Sequence, residues 1–154
     1  MKTRLLYEES GLRTFALVMD KGDEAAARIT AFAREQGISG AGLTAIGACR
    51  QATLGYFDPK IMDYRSTHFD GQMEVLSLLG DIATHDGEPV LHAHLVLGRK
   101  DSSVIGGHLQ KCVVFPTMEV IVTETPAHLR KRIDPETGLA LIAPEASDGP
   151  PDGS

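Results

Sequence analysis

Val90-Leu91-His92-Ala93-His94-Leu95-Val96-Leu97 is the stretch whose reading decides the fold. Side chains on a strand alternate between its two faces. Leu91, Ala93, Leu95 and Leu97 therefore line one face, which suits a core, and His92 and His94 project together from the other. Just before this stretch, Asp86-Gly87 signals a tight hairpin turn, and residues 72–82 read as the partner strand. After it, residues 100–107 read as a loop, and residues 113–124 return to a β pattern. Pro116 lies inside that last run and marks a bulge or an edge position.

The same signals extend toward the start of the chain. Residues 43–56 are rich in small and β-compatible residues, and Gly47 and Gly55 within them suggest bulges or close backbone approach. Asp58-Pro59 and Asp70-Gly71 read as turns. Residues 2–8 and 12–19 read as two short strands joined by a turn at Ser10-Gly11. Between the second of these and residue 40 the period changes. Ala25, Ile29, Phe32 and Ala33 fall on one face at helical spacing, Arg34 sits in the last turn, and Gly37 supplies a left-handed stop. This predicts a helix over residues 24–36, with Asp23 or Gly22 as its N-cap. Residues 127–132 suggest a short helical turn. The expected architecture is α+β: a curved, mostly antiparallel sheet or partial barrel of six to eight strands, with one main helix packed on one face. Residues 1–143 form the expected single domain, and the Pro, Gly, Ser and acidic composition of 144–154 predicts a disordered tail.

Composition narrows the class. The chain has 154 residues, 42% apolar and 23% charged, which is ordinary for a globular domain. Its formal net charge of −6 argues against a surface built to bind phosphate backbones. The first seven residues carry no apolar signal-peptide core, and no apolar run approaches the roughly 18 residues of a membrane span. Cys49 and Cys112 have no Cys-x-x-Cys spacing and are expected to be reduced and structural. These features predict a cytoplasmic protein.

The histidines carry the chemistry. Two imidazoles at i and i+2 on a strand can reach one ion, and neutral imidazole suits zinc or another divalent transition metal. His108, after Gly106-Gly107 and leading back into the sheet, is the best third ligand. Three protein ligands with an open position are the pattern of a catalytic or ligand-binding metal. The alternative is that both rings are exposed residues on a solvated strand face. His68, His85 and His128 lie in polar contexts and read as surface residues. Glu74 and Glu119 each interrupt an apolar strand, so each needs a partner or an aqueous face. Either serves as a group behind the metal ligands, a general base or an interface residue, and these two are the candidate catalytic residues. Arg13 is positioned to pair with one of them or with an anionic ligand.

The order of these features resembles the plants-and-prokaryotes-conserved (PPC) domain family. Gly22-Asp23 leading into Ile29-Thr30-Ala31-Phe32-Ala33-Arg34 resembles the family's first helix. Gly71-Gln72-Met73-Glu74-Val75-Leu76-Ser77-Leu78-Leu79-Gly80 is similar to its Gly-x-x-Glu-Ile-Leu-Ser-Leu-x-Gly strand. His92-Ala93-His94, Val104-Ile105-Gly106-Gly107-His108-Leu109 and Pro116-Thr117-Met118-Glu119-Val120 complete the match, which runs from about residue 12 to residue 125. The resemblance implies an antiparallel sheet with a packed helix, a homotrimer, and a metal site, zinc in the first instance, on His92, His94 and His108 near a subunit boundary. Plant members add an AT-hook of the Arg-Gly-Arg-Pro type and lack the three histidines, and this sequence has no such hook. The expected function is a trimeric metal protein that binds or acts on a small anionic or carbonyl-bearing molecule. A regulatory scaffold acting through trimerisation and protein partners is the alternative. A DNA-associated regulator, as in the plant relatives, comes last.

Overall fold

The computed structural model describes residues 1–147. Its elements are β1 (Lys2–Glu9), β2 (Leu12–Met19), α1 (Ala25–Gln36), β3 (Gly40–Asp58), β4 (Asp63–His85), β5 (Glu88–Gly98), β6 (Val104–Glu124), β7 (Lys131–Ile133) and β8 (Ala140–Ile142), followed by a 3-10 turn at Pro144–Ala146. Six strands form one antiparallel sheet in the order β1-β2-β6-β3-β4-β5, and β6 also pairs with β5. The run β3-β4-β5-β6 therefore closes on itself, while β7 and β8 form a separate small sheet. The expected α+β class, strand number and single packed helix are all present. None of the helices among the described residues is long and apolar enough to cross a membrane.

Closure demands curvature. β3, β4 and β6 run for 19, 23 and 21 residues. Strands of that length twist and cannot lie flat. Register shifts interrupt the β3–β4 pairing twice and the β3–β6 pairing three times, and such bulges sharpen a bend. The turn expected at Asp70-Gly71 is not a chain reversal: β4 passes through it, with Gly71 at φ 102° and Asp70 still paired to Gln51. Residues 104–107, expected in a loop, belong to β6. Gly106 and Gly107 serve there by close approach rather than flexibility. A Cβ on Gly106 would lie 3.1 Å from Leu95 O, and one on Gly107 would lie 2.9 Å from Gly55 O.

Strand β6 organises the core. β3 covers one of its edges, while the other is shared by β5, over residues 104–108, and β2, over residues 118–123. The stretch between them is filled by the approach to α1. Gly22 N donates to Val114 O at 2.9 Å, and Val114 N donates to Asp23 O at 2.9 Å. Cys112 N donates to Glu24 Oε1, also at 2.9 Å. Pro116, which has no N–H to offer, falls in this shared stretch. Glu24 is also the N-cap of α1, accepting from Ala26 N and Ala27 N. The expected caps, Asp23 and Gly22, are otherwise engaged: Asp23 accepts from Asp20 N at 2.9 Å and from Arg28 Nε at 2.8 Å. At its far end the helix stops on Gly37 (φ 65°), with Ile38 N donating back to Ala33 O. Ala25, Ile29, Phe32 and Ala33 are buried against the sheet. Phe32 meets Phe15 edge-on at 5.1 Å, and Leu17, Leu43, Ile82, Ala93, Leu95, Val120 and Val122 continue that core.

Residues 127–132 hold no helical turn. Leu129 N reaches Ser39 O at 3.3 Å and Thr84 N reaches Leu129 O at 2.7 Å, so this backbone is satisfied across the sheet rather than along itself. Within the expected tail, Ser147 Oγ accepts from Arg130 N at 3.1 Å and donates to Ala143 O at 2.8 Å, and residues 148–154 lie outside the described residues.

Glu24→Ala removes a helix cap and leaves Cys112 N without its acceptor. It is expected to lower the unfolding free energy by about 1–3 kcal/mol. Urea unfolding checks this, and an unchanged midpoint would contradict the role given to Glu24.

Candidate metal centre

Strand alternation and hairpin register bring the three histidines together. Ala93, Leu95 and Leu97 point into the core, so His92 and His94 face outward, on the side of the sheet away from α1. His94 stands opposite Leu79 on β4 and opposite His108 on β6, while His92 stands opposite Asp81. Ring centroids are 5.4 Å apart for His92 and His94, 5.3 Å for His92 and His108, and 5.6 Å for His94 and His108. One nitrogen from each ring lies within 4.8 Å of the other two. His108 is half-buried and stacks on Tyr64, with centroids 4.4 Å apart and planes at 22°. Tyr64 also packs over Gly55, where a Cβ would come within 2.8 Å of its ring.

The electrostatics suit a cation. Burial, reinforced by His92, His94 and Lys131, pushes His108 down to about 4. Burial and the neighbouring His92 also lower His94. These two rings are therefore neutral near pH 7, the form in which imidazole offers a lone pair. His108 Nδ1 is buried and has no hydrogen-bond partner. Such an orphan costs about 1–3 kcal/mol, which a cation coordinated at that nitrogen would relieve. By donor type, convergence and protonation, the set fits a divalent transition metal.

Two further residues border the set. Asp81 Oδ2 lies 3.4 Å from His92 Nδ1, a long contact, and Asp81 Oδ1 lies 2.9 Å from Lys131 Nζ. The geometry of that second contact is an ion pair rather than a hydrogen bond, since Asp81 Oδ1 has no hydrogen-bond partner. Burial pushes the Asp81 carboxyl upward, but His92 and Lys131 outweigh it and hold the group below the usual carboxylate range. Sequence reasoning did not single out either residue. Asp81 was within reach, because counting back from the two-residue turn at Asp86-Gly87 pairs it with His92. Lys131 carries no comparable signal.

The other candidates lie elsewhere. Glu74 pairs in register with Ala48 and Gly98, and Glu119 with Val18 and Ile46; both are exposed and stand outside the three-histidine group. Arg13 pairs with neither. Its guanidinium grips Glu124 at 2.7 and 2.8 Å. His68 is exposed beside Asp70 and Thr53. His85 and His128 are half-buried rather than on the open surface: His85 Nδ1 donates to Lys131 O at 3.2 Å, and His128 bonds Ser39 Oγ. Cys49 and Cys112 are free and buried.

The sequence profile of the Plants and Prokaryotes Conserved (PCC) domain matches residues 7–126. Among solved structures, a plant- and prokaryote-conserved (PPC) protein from Pyrococcus horikoshii is 32% identical, covers 85% of this chain and 91% of its own, and superposes with a TM-score of 0.80. A protein from Archaeoglobus fulgidus described as metal-containing is 33% identical over 93% of this chain and 99% of its own, with a TM-score of 0.79. A protein from Bacteroides thetaiotaomicron, provisionally described as DNA-binding, is 27% identical over 90% of this chain and 96% of its own, with a TM-score of 0.82. No curated protein matches the chain.

The depressed His108 has a consequence for stability. In the unfolded chain His108 takes up a proton near 6.5, whereas in the folded chain it resists until about 4. Below 6.5 the unfolded state therefore binds more protons, and metal-free protein loses stability as the pH falls through that window. Urea midpoints at pH 7 and pH 5, with chelator present, should show the loss, and His108→Gln should reduce it. An identical pH dependence in the variant would contradict the assignment.

Proposed function

The chain belongs to the Plants and Prokaryotes Conserved (PCC) domain family, and we propose that it is a homotrimeric, cytoplasmic member in which His92, His94 and His108 hold zinc or another divalent transition metal for a small-molecule ligand. The observation that carries this reading is the convergence of three ring nitrogens, one per histidine, within 4.8 Å of one another on the outer sheet face. The Archaeoglobus relative described as metal-containing supports it. A metal bound by three protein ligands supplies a Lewis-acidic open position, suited to a carbonyl or anionic oxygen. The protein's own part is to hold the rings. The strand backbone aims His92 and His94, and Tyr64 fixes the plane of His108. The register separates Glu74 and Glu119 from the histidines within one chain, so their candidate role as proton acceptors depends on what assembly brings together.

The trimer reading rests on the exposed apolar residues of the same face. Ile46, Leu76, Leu79 and Ile121 are 61%, 51%, 58% and 40% exposed. Leu79, Thr44 and Ile121 stand side by side across β4, β3 and β6, and this row continues directly into His94 and His108. A contiguous apolar strip of this kind marks an association surface, and closed symmetric assemblies are the common outcome for a single chain. The strip also favours a second reading, a scaffold that docks protein partners. The net charge of −6 weighs against transferring the DNA-binding description of the Bacteroides neighbour.

Elemental analysis of purified protein is expected to find about one transition-metal ion per chain, with His92→Ala losing most of it. Metal content unchanged in the variant, or absent from the wild type after zinc loading, would defeat the reading. In sedimentation, the wild type is expected at three times the 16.5 kDa chain mass, and Leu79→Asp is expected to shift the population toward monomer. A monomeric wild type would remove the trimer.

A further inference from the structure

Residues 127–147 follow the part of the chain matched by the family profile, which ends at residue 126. They are not a detached appendix. Arg130 bridges Thr84 in parallel, Thr84 N donates to Leu129 O at 2.7 Å, and His85 Nδ1 donates to Lys131 O at 3.2 Å. These contacts seat β7 against the end of β4, a few residues from Asp81. From there the Lys131 side chain runs inward until only 1% of it is exposed, and its ammonium ends 2.9 Å from Asp81 Oδ1.

A lysine so placed is unusual. The side chain is long and ordinarily keeps its charge in water. Burying an ion pair contributes little net stability, because desolvation offsets the attraction. What the pair does provide is orientation. Asp81 has two oxygens and two neighbours: Lys131 engages Oδ1, and Oδ2 then points at His92 Nδ1 at 3.4 Å. A ring nitrogen facing a carboxylate carries the imidazole proton, and the other nitrogen keeps its lone pair. For His92 that leaves Nε2 as the nitrogen with a free lone pair.

We propose that Lys131, supplied by the β7–β8 segment that follows the residues matched by the family profile, is a positioning residue for the three-histidine site, acting through Asp81 to fix the tautomer and orientation of His92. The inference rests on the metal reading of that site, but it predicts an effect in metal-free protein as well. It also predicts a sign. Removing a positive charge beside a cation site would by itself tighten cation binding. Loss of a positioning group weakens it, typically 10- to 100-fold for partners of metal-bound histidines.

The test uses the full chain, ¹⁵N-labelled at histidine, with zinc as the only probe. In chelator-treated wild type, His92 is expected to show one tautomer, protonated at Nδ1. In Lys131→Met it is expected to show a mixture, and zinc affinity by chelator competition is expected to fall about tenfold or more. Unchanged or tighter zinc binding together with an unchanged tautomer, whatever happens to the melting temperature, would overturn the proposal. If Lys131→Met does not fold, Asp81→Asn and the Asp81→Asn/Lys131→Met double variant, which leaves no unpaired charge, carry the test. For a residue acting through Asp81, the double variant is expected to bind zinc no more weakly than Asp81→Asn, the lost ammonium charge acting only to tighten it, and a further loss in the double variant would overturn that route. A wild type that takes up no zinc would sink the metal reading alone, and the His92 tautomer in the substituted chains would still decide the role of Lys131.

Discussion

The register of the β4–β5 hairpin is the constraint on which the rest depends. Its two-residue turn, Asp86-Gly87, has both residues at positive φ, 50° and 80°, the geometry that matches strand twist in a tight hairpin. That turn sets every pairing behind it, including Asp81 with His92 and Leu79 with His94. A slip of one residue would turn both histidines into the core and Ala93 and Leu95 out of it. The burial of Leu95 and Leu97 therefore holds the histidines in place as firmly as any direct contact to them. The core and the site are the two faces of one strand.

The second organising feature is β6, whose two halves take different partners on one edge. Its first half pairs with β5 and brings His108 beside His94, while its second half pairs with β2 and builds the sheet that α1 covers. The gap between them would expose backbone groups, and the approach to α1 fills it through Gly22, Asp23 and Glu24. The helix start thus closes the sheet at the point where β6 changes partner. Apolar burial on the helix side leaves the opposite face with exposed Leu79, Ile121 and Ile46 next to the histidines. That adjacency would put the proposed assembly surface and the proposed metal site side by side.

Much of this was legible in the chain itself. The two-residue period of Leu91, Ala93, Leu95 and Leu97 against His92 and His94 gave the strand, its core face and the outward histidines, and helical spacing of Ala25, Ile29, Phe32 and Ala33 gave α1 and the face it buries. What failed to read were places where distant backbone replaces local signals. Asp70-Gly71 has turn composition, yet pairing with Gln51 carries β4 through it. Gly106-Gly107 has loop composition, yet the two glycines let β6 lie close against Leu95 and Gly55. Residues 127–132 had a helical look, yet their partners are Ser39 and Thr84. Asp23 was the natural cap by residue type, but Arg28 and Asp20 N occupy its carboxylate and the role passes to Glu24. For the site, residue type and spacing reached the three histidines, but not Lys131, whose approach to Asp81 comes from a segment far along the chain.

Burial and mutual proximity keep His94 and His108 neutral, His108 Nδ1 has no hydrogen-bond partner, and a carboxylate backed by an ammonium stands behind His92. These features fit the proposed cation shared by the three rings. Anomalous X-ray scattering at the zinc edge and at neighbouring metal edges, from crystals of protein purified without chelator, tests this most directly. The account predicts one strong peak per chain, within coordination distance of a nitrogen from each of His92, His94 and His108. The three rings well ordered around water alone, in crystals soaked with zinc, would contradict it.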